Sequence, residues 1–437
     1  MDRTDSLTAI SSIVEQHAEE AVFLAQQRER AIRAPHYFLR DLVKLDYRLD
    51  ANLDGLRLAG ETGWGLCERM LADEGPAGVF TAAVVAISSG EGDRIEKVVE
   101  FGCAQPRLAR GLAAALGWLP LADAEPYIDW LLAAKAPALR RVGLSAAMAH
   151  RKHPGRLLVE MIGQADSSLK ARALRAVGEL GLQEALDRAA RFVDSADESI
   201  KAAASWSVAL RSAYPEALAV MRSVAESDSP LRNKALQVAM RCMDFGEAKA
   251  WQRYLAESTD HARLAIDGAG ALGDPATVNW LITRMDQPAL ARVAGNAFTM
   301  ITGLNLAEAH LEGKPLDLFE GGPDDDPRDG RVAMDADVRL PWPDPVLIER
   351  WWNVNRDQFA AGTRHLMGKA ITLEWLGEVI VKGLQPQRTA AALELAVLRP
   401  DQPLFNVAAP GFRQATLLRL PQSTWVNLPR SPVAPAQ

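Results

Sequence analysis

The chain has 437 residues, 48% of them hydrophobic and 24% charged, with a formal net charge of −7 and a pI near 5.7. That apolar content can bury a core, and the acid excess argues against a general nucleic-acid binder, which needs a basic field. The longest apolar stretch, around residues 80–87, is far too short to span a membrane, and Cys67, Cys103 and Cys242 fit neither a disulfide framework nor a zinc spacing.

Residues 1–30 mix Asp, Arg, Glu and Gln among their apolar positions and lack the apolar run of a signal peptide, which points to a cytoplasmic protein. Leu7, Ile10, Val14, Ala18, Ala21 and Leu24 predict an amphipathic helix over 5–33, ended by Pro35. Leu42, Leu45, Leu49 and Leu53 predict a second over 38–58, so residues 1–76 read as a helical cap.

From residue 77 to 303 the chain repeats itself. An acid is followed one turn later by a base four times: Asp166/Lys170, Asp197/Lys201, Asp228/Arg232 and Asp260/Arg263. The apolar residue before each base keeps the phase, with Leu139, Leu169, Ile200, Leu231 and Ala262 separated by 30, 31, 31 and 31 residues. Units therefore begin near Ala77, Leu108, Leu139, Leu169, Ile200, Leu231, Ala262 and Leu290. Each aspartate stands where a helix should start, where its carboxylate can accept free backbone N–H groups. The base can pair with its own aspartate or with that of the next unit, a ladder that sets register more than stability, since exposed pairs contribute about 0.2–1 kcal/mol.

Each unit breaks after one helix, at Gly181, Tyr214-Pro215, Phe245-Gly246 or Gly273-Asp274-Pro275, and a second helix then opens. Ala173, Ala204 and Ala235 recur in phase where helices must approach closely. Two helices per 31 residues or so is a HEAT-like repeat, and the expected fold is an all-α solenoid.

A second column, Arg191, Arg222, Arg253 and Arg284, recurs at intervals of 31 on the second helices. If those helices line the face enclosed by the stack, the column forms a partner-binding stripe that reads carboxylates or phosphates; the plainer reading is a solvated helix face. His150 and His153 have ligand-like spacing but no Cys, Asp or Glu alongside, so no metal is expected.

Residues 304–345 are a Gly/Pro-rich acidic insertion centred on Asp324-Asp325-Asp326, a loop that could lie across the arginine stripe. Its spacing fails the EF-hand pattern. A helical block over 346–420 takes its core from Trp351, Trp352, Phe359, Leu366 and Trp375, and residues 421–437, with four prolines, read as a loose tail.

Several segments carry a resemblance: Asp46-Tyr47-Arg48-Leu49-Asp50-Ala51-Asn52-Leu53-Asp54-Gly55-Leu56-Arg57, Ala34-Pro35-His36-Tyr37, Thr302-Gly303-Leu304-Asn305-Leu306, Leu340-Pro341-Trp342-Pro343-Asp344-Pro345, and Arg388-Thr389-Ala390-Ala391-Ala392-Leu393-Glu394-Leu395-Ala396. Over nearly its whole length the chain resembles an uncharacterised proteobacterial family of HEAT-repeat proteins found beside type VI secretion genes. The resemblance implies a partner among effectors, PAAR-like tip proteins, spike proteins and their adaptors, and it transfers no catalytic residue.

Trp206, Trp251 and Trp280 in successive units invite comparison with HEAT-fold glycosylases, yet no Ser/His/Asp order, nucleophile elbow, P-loop or zinc deaminase motif is present. The sequence therefore predicts a cofactor-free interaction scaffold, with an immunity protein that occludes a toxin and a HEAT-fold enzyme acting on DNA as the alternatives.

Overall fold

Several helices begin where an aspartate cap meets apolar periodicity. Asp197 accepts hydrogen bonds from the backbone N–H groups of Ser199 and Ile200 at 2.9 and 3.2 Å, and Asp166 accepts one from that of Leu169 at 2.7 Å. Asp244 and Asp344 cap two further helices in the same way. Each such cap contributes about 1 kcal/mol.

The computed structural model describes residues 10–316 and 335–420. In chain order its α-helices are α1 (Ser11–Ala31), α2 (Leu39–Leu58), α3 (Gly60–Asp73), α4 (Gly75–Ser89), α5 (Gly92–Cys103), α6 (Leu108–Trp118), α7 (Leu121–Ala133), α8 (Pro137–His150), α9 (Arg156–Ile162), α10 (Ser167–Leu180) and α11 (Gln183–Ala190). They continue with α12 (Glu198–Ser212), α13 (Pro215–Glu226), α14 (Arg232–Cys242), α15 (Phe245–Glu257), α16 (Ala262–Leu272), α17 (Val278–Arg284), α18 (Ala291–Thr302), α19 (Pro345–Asn355), α20 (Leu373–Lys382), α21 (Gln385–Leu398) and α22 (Gly411–Leu417). A two-strand antiparallel hairpin, β1 (His365–Leu366) and β2 (Lys369–Ala370), precedes α20.

The fold is an all-α, solenoid-like stack of two-helix repeats. All eight expected unit starts fall within the first turns of α4, α6, α8, α10, α12, α14, α16 and α18 or on the residue just before them. By their contacts the described residues divide into two compact units, 10–33, 40–180 and 408–420 in one and 34–39, 181–316 and 335–407 in the other.

In the first unit the opening helices of successive repeats, α4, α6, α8 and α10, pack on one another, and α5, α7 and α9 form a second layer. The helices α1 and α3 extend the packed layer beside α4. The C-terminal α22 is tied in by polar contacts: Gly411 N–H donates to buried Asp46, and Arg413 donates to the carbonyls of Gly117, Trp118 and Leu119 at 2.8–2.9 Å. Those carbonyls end α6 and have no further turn to accept from.

In the second unit α12, α14, α16 and α18 form the packed layer. Ala204 and Ala235, at 0% and 2% exposure, are the small residues that permit the approach. The last repeat shares its core with the C-terminal segment: Ile348 and Trp352 of α19 lie in one cluster with Val278, Leu281, Phe298 and Ile301. Leu304, Leu306 and Leu311, from the start of the insertion, join that cluster.

The segment after α19 then crosses the C-terminal ends of the opening helices in turn. Arg364 donates to the carbonyls of Met240 and Met243, His365 N–H to Gly273, and Met367 N–H to Met300. Returning along α21, Gln387 bonds the Thr299 carbonyl, Glu394 pairs with Arg241, and Arg211 donates to the carbonyls of Ala396 and Arg399. Gln183 finally reaches Pro400 at 2.7 Å. This strap supplies partners to helix-terminal groups that would otherwise be orphaned.

Candidate functional site

The arginine column lies on the second helices of the second unit, in the layer that packs less closely. Arg191, at the end of α11, and Arg253, on α15, are exposed. Arg222, on α13, places its guanidinium 5.2 Å from the centroid of the Trp251 ring, and Arg284, at the end of α17, lies 5.4 Å from that of Trp280. Trp251 is oriented by its own Nε1–H, which donates to Glu226 at 2.7 Å. Arg222 and Glu226 line an open depression of about 400 Å³ together with Ala219, Ser223 and Ser227. Stacking contributes about 0.5–1 kcal/mol and, more usefully, fixes the plane of a fork that recognises carboxylates. Of Trp206, Trp251 and Trp280, the last two therefore serve as arginine platforms, while Trp206 is packed into the core from α12.

The acid-base ladder is only partly an acid-base ladder. Arg232 stands 4.0 Å from Asp228 and Lys201 is 2.9 Å from Glu198, while Asp166 and Asp197 act as caps. Lys170 donates its backbone N–H to the Asp166 carbonyl. Arg263 leaves its expected neighbour Asp260 and forks onto Asp337 at 2.5 and 2.7 Å. One repeat on, Arg292 forks onto Asp335 at 2.7 and 2.8 Å and stacks 4.7 Å from the Trp342 ring centroid. Asp324-Asp325-Asp326 lie outside the described residues, but the acids that follow them read bases of the opening helices.

Three charge clusters are electrostatically unusual. Glu179 receives Arg172 at 2.9 Å, Arg175 at 3.5 Å and Arg151 at 3.8 Å. Burial pushes its pKa up, but the three guanidiniums together outweigh that and hold it below the usual carboxylate range. Burial, offset by Glu179 and reinforced by repulsion from Arg172, lowers Arg175 to about 10. In the strap, burial raises Glu394 despite Arg241 and Arg364. The third is Asp267, raised to about 6 by burial against the opposing pull of Arg263.

The residues that carry the family resemblance turn out to be joints. Asp46, fully buried, accepts from Arg28 Nε at 2.7 Å and from Gly411 N–H. Arg388, equally buried, donates to the Ile380 carbonyl at 2.7 Å and to Gln385; burial lowers its pKa to about 9. Asn305 accepts from the N–H groups of Ala307 and Glu308, and Trp342 accepts from Gly313 N–H across the insertion.

The ring of His150 donates to the Leu116 carbonyl at 2.8 Å, and that of His153 accepts from Gly155 N–H, so both are used locally. Cys67 and Cys242 are buried thiols whose pKa values burial pushes up to about 12, which removes them from nucleophilic chemistry at neutral pH. Compared with known proteins, the chain matches no family model, and no curated protein is significantly similar to it. What the described residues show is a row of four arginines on successive second helices, two of them held over tryptophan rings.

Proposed function

We propose that the chain is a non-enzymatic interaction scaffold whose second-helix face, marked by Arg191, Arg222, Arg253 and Arg284, holds an acidic surface of a protein partner. The observation that carries this reading is the stacking of Arg222 on Trp251 and Arg284 on Trp280, flanked by exposed Arg191 and Arg253. A guanidinium already held in plane loses less freedom on binding than a free one. The strap over the opening-helix ends supports the same choice, because it occupies those helix termini with the chain's own residues.

The family resemblance supports a setting in type VI secretion. In that setting the scaffold acts as a cytoplasmic accessory that helps load an effector or a PAAR-like tip onto the spike. The test is affinity capture from a native lysate, comparing the wild-type chain with an Arg191→Glu/Arg253→Glu variant. A type VI component should be retained by the first and depleted at least about tenfold with the second, at an unchanged melting temperature, since exposed arginines add little to stability. Equal retention would place recognition elsewhere.

A further inference from the structure

The first unit contains a cavity that the scaffold reading does not use. It measures about 300 Å³ and lies among the end of α1, the start of α4 and the middle of α6. Its floor is apolar, formed by Ala25, Ile32, Pro76, Ala77, Phe80 and Ala114. Phe80 is braced by an edge-on contact with Trp118 at 5.7 Å, so the floor is fixed.

The rim carries Arg28, Glu29, Arg33 and Arg110. Arg28 is engaged: it pairs with Asp46 at 2.7 Å, donates to the Ala408 carbonyl and lies 5.3 Å from the Trp118 ring centroid. Arg33 and Arg110 are exposed, and among the described residues neither pairs with Glu29 or any other acid. Two guanidiniums against one carboxylate leave the rim with a local excess of one positive charge.

We propose that this cavity binds an apolar monocarboxylate, with its hydrocarbon part on the Phe80 floor and its carboxylate held by Arg33 and Arg110. The volume lies at the small end of ligand pockets, and a mostly apolar wall with a few charged groups is their usual composition. The single excess charge matches a monoanion, and Glu29 on the same rim opposes a dianion such as a phosphate monoester. An apolar floor likewise disfavours small hydrated anions.

Such a carboxylate is either a free acid or the C-terminus of a peptide with an apolar last residue. Isothermal titration of the full chain with 4-phenylbutyrate, its amide 4-phenylbutanamide, and a tetrapeptide ending in Leu-Phe with a free carboxylate tests the site and separates the sources. Saturable binding of either carboxylate, weakened at least about tenfold in the amide and in Arg33→Glu/Arg110→Glu, is the expected result. A tighter peptide identifies a peptide terminus, and a tighter small acid a free ligand. Absence of saturable binding by both carboxylates would overturn the proposal. Equal binding of the amide, or by the reversed variant with an unchanged melting temperature, would also overturn it.

Discussion

Asp267 sits one turn along α16 from Arg263, whose guanidinium is already forked onto Asp337. Burial first, and then the Asp337 charge, raise Asp267 from 3.8 to about 6, while Arg263 and Arg232 pull it down. An acid whose folded pKa lies above its unfolded value binds its proton more tightly in the fold, so stability falls as pH rises between the two. The penalty is absent below about pH 4 and complete above about pH 6. Asp267→Asn should therefore stabilise the protein at pH 8 by about 2 kcal/mol, reckoned at about 1.4 kcal/mol per pKa unit and discounted for partial exposure. At pH 4 it should be nearly neutral. Urea unfolding at the two pH values checks this, and destabilisation at pH 8 would refute the assignment. Glu179 has the opposite sign: its lowered pKa gives stability that is present above the unfolded value and lost as pH falls through the folded one. Spacing made the arginine column visible in the sequence, and Trp280 stands one turn before Arg284 on the same helix, but the platform of Arg222 was hidden. Trp251 is 29 residues from Arg222, so only the stacking of one second helix on the next brings them together.

At the scale of elements, the repeats were legible because each unit obeys one apolar period and carries its own breaks, so all eight starts could be placed. Helix α3 was not placed, and its Gly60, Gly63 and Gly65 are poor helix formers that blur the period. In the fold Gly63 is a packing residue: a Cβ there would stand 2.1 Å from the Leu56 carbonyl oxygen. The strap was hidden for a different reason. Its contacts join residues 364–400 to helix ends 67 to 217 positions earlier, and no local pattern encodes such pairings. Gly273 is its most sensitive point. It has φ +72°, ends α16, and a Cβ there would lie 2.3 Å from the His365 carbonyl oxygen. Gly273→Ala should combine left-handed strain with a backbone clash and destabilise by about 1–3 kcal/mol. A melting temperature within a degree of wild type would mean that the strap does not hold α16.

Taken whole, the chain carries a net charge of −7, and yet it concentrates oriented arginines on one set of helices. On the proposed function, a net-negative chain gains no long-range steering toward an acidic partner, so the arginines would act at contact and salt should weaken the complex by screening them. Composition and repeat phase were enough to predict an all-α solenoid. The surroundings of the arginine column were less legible, because the sequence shows which residues recur but not which layer they join. The resemblance pointed to a setting, and the residues that carry it, such as Asp46 and Arg388, hold the fold together. Hydrogen exchange of the scaffold with and without its captured partner tests the central claim most directly. The account predicts new protection confined to α11, α13, α15 and α17. Protection that instead spares those helices and appears on the strap or the opening helices would contradict it.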